Sequence, residues 1–210
     1  MQTLFITATG TNVGKTYTTL KLIRAFADKG FKVGVYKPIE TGVARLPLDA
    51  ATLLLACQEV NHNFSHLTAK EITAYTFPLA AAPFCADTKQ EIDINHIIQK
   101  HQELQSYCDI LLVEGAGGLM VPITKDLFMI DLAQQLQAKV LLVTSSGLGS
   151  INETLLSLEA LKIRNIPHEW CVNLHKEKDS FKEVTQPFYD AVLPNWWLLD
   201  EGLQRFINRY

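Results

Sequence analysis

Short apolar runs alternate along this chain with stretches whose apolar positions recur every three or four residues. Thr3-Leu4-Phe5-Ile6-Thr7 is apolar and β-branched and predicts a buried strand. Tyr17 to Lys29 follows with Leu20, Ile23 and Ala27 at helical spacing and Gly30 placed to cap the C-terminal end. Lys32 to Tyr36 predicts a second strand, running into Lys37-Pro38-Ile39-Glu40-Thr41-Gly42, where proline and glycine predict a loop. Ala50 to Cys57 predicts an apolar helix opened by Asp49, either as its N-cap or as a carboxylate ligand. Asn61 to Thr73 is polar, poorly periodic and supports no assignment. Tyr75-Thr76-Phe77 predicts a short strand ended by Pro78, and Ala80 to Pro83 a loop of small residues that lets a ligand come close. Ile94 to Tyr107 predicts a helix with Ile97, Ile98 and Leu104 on its apolar face.

The clearest central strand after the first is Asp109 to Glu114, leading into Gly115-Ala116-Gly117-Gly118. Leu127 to Leu136 predicts a helix and Val140 to Val143 a buried strand. That strand runs through Ser145-Ser146-Gly147-Leu148-Gly149-Ser150-Ile151-Asn152 into a helix ending near Lys162. His168 to Asn173 predicts a further strand, and Phe181 to Tyr210 two helical patterns around Leu193-Pro194-Asn195-Trp196-Trp197. Strands alternating with helices predict an α/β fold, with a mostly parallel central sheet flanked by helices. With no internal repeat, low-complexity tract or linker, residues 1–210 are expected to form one domain.

Composition narrows the function classes. Hydrophobic residues make up 48% of the 210, which predicts a packed core and not disorder. The formal charge is −3 and no stretch concentrates Lys and Arg, which argues against a nucleic-acid partner and a polybasic membrane patch. The N-terminus shows no signal-peptide pattern, and no apolar run is long enough to span a bilayer. Cys57, Cys85, Cys108 and Cys171 form no CxxC and lie in or near apolar runs; they are expected to be buried free thiols, in a cytoplasmic setting. The six histidines do not cluster at metal-ligand spacing.

The candidate chemistry concentrates on Ala8 to Thr16, ATGTNVGKT, between the first strand and the first helix. A phosphate-binding loop sits at such a junction, because free backbone N–H groups and the positive end of the helix dipole point at an anion there. Lys15 adds a cation for the β- and γ-phosphates, and the Thr16 hydroxyl is placed to ligate Mg²⁺. The P-loop pattern asks for glycine six residues before Lys15; that position is Thr9, with Gly10 next to it, so an altered loop geometry is expected. Lys37 and Thr41 arrive at the end of the second strand, where open α/β sheets bind ligands. Glu114, at the predicted tip of a buried strand, is a Walker-B-like acid for the metal or its water shell. Gly149 marks a second strand–glycine–helix junction, and so a second candidate anion site.

Taken together, the motifs TGTNVGKT, KPIETG, VEGAGGLMVP and GLGSIN resemble those of the dethiobiotin synthetase family in order and placement, from the first strand to about Asn173. The resemblance implies a P-loop NTPase-like α/β fold and a cytoplasmic homodimer. It implies an enzyme that uses ATP and Mg²⁺ to close a cyclic urea on 7,8-diaminononanoate with CO₂, through a carbamate and a mixed anhydride. By matching residue, Thr11, Asn12, Val13, Gly14, Lys15 and Thr16 would line the nucleotide site, with Glu114 and Gly117; Lys15 and Lys37 would be catalytic. Lys37 and Thr41 would hold the carbamate and the γ-phosphate side of the substrate, and Thr16, Asp49 and Glu114 the metal. Gly149, Ser150 and Asn152 would reach across the dimer to the substrate carboxylate, and Asn173 would contact the base. The chain departs from the family at Ala8, commonly glycine, at Asn12, commonly glutamate, and around Asn195-Trp196-Trp197, where nucleotide-base specificity stays open. The alternatives are another P-loop synthetase or a nucleotide-switched partitioning ATPase. The latter class carries a signature lysine early in its P-loop, and Ala8 to Val13 contains none.

Overall fold

A computed structural model describes residues 2–175, 180–193 and 195–210. The first apolar run forms β1 (Gln2–Ala8), whose Leu4, Phe5 and Ile6 have no solvent exposure. Burying each such side chain contributes ~1.5–3 kcal/mol, which fixes this strand at the centre of the molecule. It lies between β5 (Ile110–Gly118) and β6 (Lys139–Ser145) in a six-stranded sheet that also contains β2 (Val33–Tyr36), β7 (His168–Asn173) and β8 (Trp197–Leu198). The order is β2-β5-β1-β6-β7-β8, and every ladder in it is parallel among the described residues. The chain winds to one side of β1 first and to the other after β5, so the topology reverses at β1. That reversal opens a crevice at the C-terminal ends of the central strands.

The connecting helices are α1 (Lys15–Asp28), α2 (Leu48–Val60), α3 (Pro83–Ala86), α4 (Ile94–Gln105), α5 (Met129–Gln135), α6 (Ser150–Ile163), α7 (Gln186–Val192) and α8 (Leu199–Ile207). Lys29 follows α1, and Gly30, at φ 94°, turns the chain as expected.

The structure corrects several expectations. KPIETG is not wholly a loop: Ile39–Thr41 forms β3 and pairs in parallel with β4 (Tyr75–Phe77) as a separate small sheet. Glu114 is not at a strand tip. The strand continues through the glycines to Gly118, because a bulge sets two residues of β1 (Ile6, Ala8) against Glu114 and Gly118 of β5. Asp49 is not the N-cap of α2; the helix begins at Leu48, and Glu40 accepts from the backbone N–H groups of Asp49 (3.0 Å) and Ala50 (2.9 Å) instead. The polar stretch 61–73 contains a 3₁₀ turn at His62–Phe64. The two helical patterns around residues 193–197 are α7 and α8 as expected, and Trp197 between them adds the short strand β8, its ring stacked on Phe206 at 5.1 Å. Cys57, Cys108 and Cys171 are buried free thiols, but Cys85, on the one-turn helix α3, is exposed. Pro194 and residues 176–179 lie outside the described residues.

Candidate active site

The loop after β1 is held open by its own backbone. Thr9 N–H donates to the Val143 carbonyl (3.1 Å), which ties the loop to β6. Asn12 and Gly14 take left-handed conformations, φ 58° and 105°, and Gly14 heads α1. Asparagine tolerates that region through its short polar side chain, and glycine enters it freely. Gly14 is constrained twice, because a Cβ there would collide with Asn173 Nδ2. That amide reaches over from the end of β7 and donates to the Val13 carbonyl at 2.9 Å. The Lys15 ammonium folds back over the loop and donates to the Gly10 carbonyl at 3.0 Å.

Beneath the loop lies a buried charge cluster. Glu114, with no solvent exposure, accepts at Oε1 from Lys37 Nζ (2.7 Å) and Thr16 Oγ1 (3.0 Å), and at Oε2 from Thr19 Oγ1 (2.9 Å). Lys37 Nζ also lies 3.3 Å from Asp49 Oδ2 and donates to the Gly115 carbonyl at 3.3 Å. Burial, with the Lys37 charge beside it, pulls the Lys15 ammonium down to about 8, against the opposing pull of Glu114 and Asp49. Lys37 differs: burial works against its charge, but Glu114 and Asp49 outweigh it and hold the ammonium above the ordinary lysine value. Glu40 is pushed upward by burial, partly offset by the N–H groups of Ala50 and Asp49.

These groups face a cavity of about 630 Å³. Thr11, Asn12, Gly14, Lys15, Thr16, Lys37, Thr41, Asp49, Glu114 and Gly117 line it, so four separated sequence segments converge there. Val13 and Asn173 support the loop from behind and do not line it. Gly149, Ser150 and Asn152 do not line it either; they open the helix after β6. Sequence reasoning missed Tyr17, Ile39, Ala116 and Val121 in the wall, and Thr19 as a partner of Glu114. For Thr19 a signal existed, since it stands one helical turn beyond Lys15 and Thr16 on the same helix. Ala80 to Pro83 complete the wall, with small side chains facing the ligand space.

The fold and the loop define a P-loop nucleotide-binding domain. Two solved structures share it: the MinC:MinD cell division complex of Aquifex aeolicus (TM-score 0.56, 19% identity, 100% of this chain and 86% of that one) and a plasmid partition protein from Borrelia burgdorferi (TM-score 0.57, 12% identity, 100% and 94%). At such identities the likeness is one of fold alone. The family described as AAA domain matches residues 2–186. The chain is 63% identical over 206 residues to the ATP-dependent dethiobiotin synthetase BioD of Sulfurovum sp., covering 98% of both chains. It is 42% identical over 207 residues to the protein of that name in Wolinella succinogenes, covering 97% of this chain and 95% of the relative. The chain belongs to the ATP-dependent dethiobiotin synthetase family, and so to the ATP-dependent synthetases among P-loop proteins.

Proposed function

We propose that residues 1–210 form one synthetase domain that closes the ureido ring of dethiobiotin from 7,8-diaminononanoate, CO₂ and ATP, with Mg²⁺. One observation carries the reading: two lysines, two carboxylates and a P-loop threonine from distant segments meet on one cavity, in a chain of this family. An amine of the substrate adds CO₂ and loses a proton, giving a carbamate. The carbamate oxygen takes the γ-phosphoryl group of ATP, releasing ADP. The neighbouring amine then attacks the carbonyl carbon of that mixed anhydride, expels inorganic phosphate and closes the ring. No protein nucleophile is needed; the chain has to gather anions and stabilise moving negative charge.

In this reading the loop N–H groups and Lys15 hold the phosphates, while Lys37 serves the carbamate and the transferred phosphoryl group beside Thr41. Among the described residues no three His, Cys, Asp or Glu side chains could hold a metal ion. A P-loop Mg²⁺ site needs less than that: one or two carboxylates with hydroxyl, phosphate and water oxygens. Thr16, Glu114 and Asp49 supply such a hard oxygen set around a single buried cation, so the residues present fit. The ion, when bound, would neutralise phosphate charge as phosphoryl transfer proceeds.

The second junction supports a homodimer with shared sites. Ser150 Oγ is buried at the N-terminus of α6 and has no hydrogen-bond partner among the described residues. Around it Leu148 is 92% exposed, and Leu156 and Met120 flank a hollow beside the P-loop. Contiguous exposed apolar surface beside a site is a feature of protein–protein contacts. A second copy laid over it would bring Ser150 and Asn152 to the substrate carboxylate. No described helix is long and apolar enough to cross a membrane. The test is phosphate release. It should require ATP, the diamine and bicarbonate together; steady release from ATP alone, unchanged by the other two, would refute the synthetase reading.

A further inference from the structure

An ammonium has three protons to donate. Lys37 donates to Glu114 Oε1 at 2.7 Å and to the Gly115 carbonyl at 3.3 Å, and its charge is paired on the remaining side with Asp49 Oδ2 at 3.3 Å. Lys15, by contrast, makes one side-chain hydrogen bond, to Gly10, and its remaining donors face the cavity. Lys37 therefore cannot reach a phosphate or carbamate without leaving a partner it already has. The partners it must leave are Glu114 and Asp49, the same carboxylates that the proposed metal needs. A divalent ion on Glu114 and Thr16 would sit within a few ångströms of the ammonium, in a buried setting where like charges repel strongly.

We propose that Lys37 is the resident cation of the metal site: its ammonium stands between Glu114 and Asp49 in the nucleotide-free enzyme and is displaced when the divalent ion arrives with nucleotide. This rests on the metal-site reading above and adds an order to it. Without metal, the ammonium compensates the Glu114 carboxylate at zero exposure, where an unpaired carboxylate is very costly. Once a metal ion takes the carboxylates, the ammonium is released toward the anions it serves. Lys37 thus becomes available for phosphoryl transfer only in an enzyme already loaded with metal, which guards against idle ATP turnover.

Mn²⁺, followed by its electron paramagnetic resonance signal and by thermal melting, provides the test on nucleotide-free protein. Wild type should bind Mn²⁺ weakly and melt at nearly the same temperature with and without it. Lys37→Met should bind Mn²⁺ at least tenfold more tightly than wild type, melt lower in chelator, and recover when Mn²⁺ is added. Lys37→Arg, which keeps the charge, should behave as wild type. If Lys37→Met is unfolded in chelator, it should refold in millimolar Mn²⁺, and the double variant Lys37→Met/Glu114→Gln should fold without metal and gain nothing from it. Mn²⁺ affinity and melting of Lys37→Met that match wild type would overturn the exchange. So would failure of Lys37→Met to refold in Mn²⁺ while the double variant folds. Wild type that binds no Mn²⁺ even with ATP would instead overturn the metal-site reading on which the exchange rests.

Discussion

Two strand–glycine–helix junctions in this chain share one local design and differ in their surroundings. Both α1 and α6 are headed by a left-handed glycine, Gly14 at φ 105° and Gly149 at φ 92°. Around Gly14 the chain closes in: a Cβ would strike Asn173, and Asn173 in turn holds the Val13 carbonyl. Around Gly149 a Cβ would meet nothing within 4 Å, its neighbour Leu148 is 92% exposed, and the buried Ser150 hydroxyl lacks a partner among the described residues. The first junction is finished by its own chain. The second is apolar at its rim and has an unpartnered hydroxyl at its centre, which is why we propose that a second copy completes it. Two junctions of one local design thus differ in which atoms wall them in.

The largest effect expected from that contrast is at Lys15. Lys15→Met should lower kcat by ~10²–10³-fold or more, since a cation aimed at developing charge is lost. It should also raise the melting temperature of the nucleotide-free protein, because the buried Lys15 charge costs stability. The sign follows from its pKa of about 8 against 10.5 for an ordinary lysine: between those values the unfolded chain binds more protons than the folded one. Wild-type stability should therefore gain a rising contribution with pH from about 8 to 10.5 that Lys15→Met lacks. Unchanged melting curves at pH 7 and 9.5 would contradict this.

Next comes the pair of glycines. Gly14→Ala should weaken ATP binding more than tenfold, because left-handed strain of ~1–2 kcal/mol adds to a collision that displaces Asn173. Gly149→Ala carries the strain alone and should leave ATP affinity within a factor of about three. Calorimetric titration of both variants decides it; equal losses would erase the distinction between the junctions. The smallest effect is a proton count. ATP phosphates should draw the Lys15 pKa back up, so binding at pH 8.5 should take up a fraction of a proton and affinity should fall as pH rises past about 8. Heats measured in two buffers of different ionisation enthalpy should show that uptake in wild type and none in Lys15→Met.

Much of the fold was legible because its signals are local. The buried run Leu4 to Ile6, the Gly-Lys-Thr step and the helix behind it lie within one stretch of chain, as does the parallel sheet's alternation of strands and helices. What escaped depends on partners far away. Glycines usually end a strand, yet β5 bulges and runs on to Gly118 because the end of β1 is there to pair with it. Ile39 to Thr41 becomes a strand only because Tyr75 to Phe77 lies alongside, and Trp197 because Cys171 does. Glu40 displaces Asp49 as the cap of α2 by reaching over from that small sheet. Cys85 sits among apolar letters but on a one-turn helix with an outward side. The Lys37–Glu114 contact spans 77 residues, and neither residue's local sequence reveals the other.

The claim that the second junction is completed by another copy is tested most directly by mixing two variants. Lys37→Gln removes the cation at the P-loop side; Asn152→Asp sets a negative charge where the substrate carboxylate would bind. A heterodimer of the two contains one site with both residues wild type, so equal mixing with free subunit exchange should restore about a quarter of all sites in a two-fold dimer. Dethiobiotin formation is the readout, at subsaturating diamine, with subunit exchange confirmed by differently tagged chains. Activity near a quarter of wild type, from variants that are each nearly inactive alone, is the result predicted here. Confirmed heterodimers with no more activity than the separate variants would contradict the shared site.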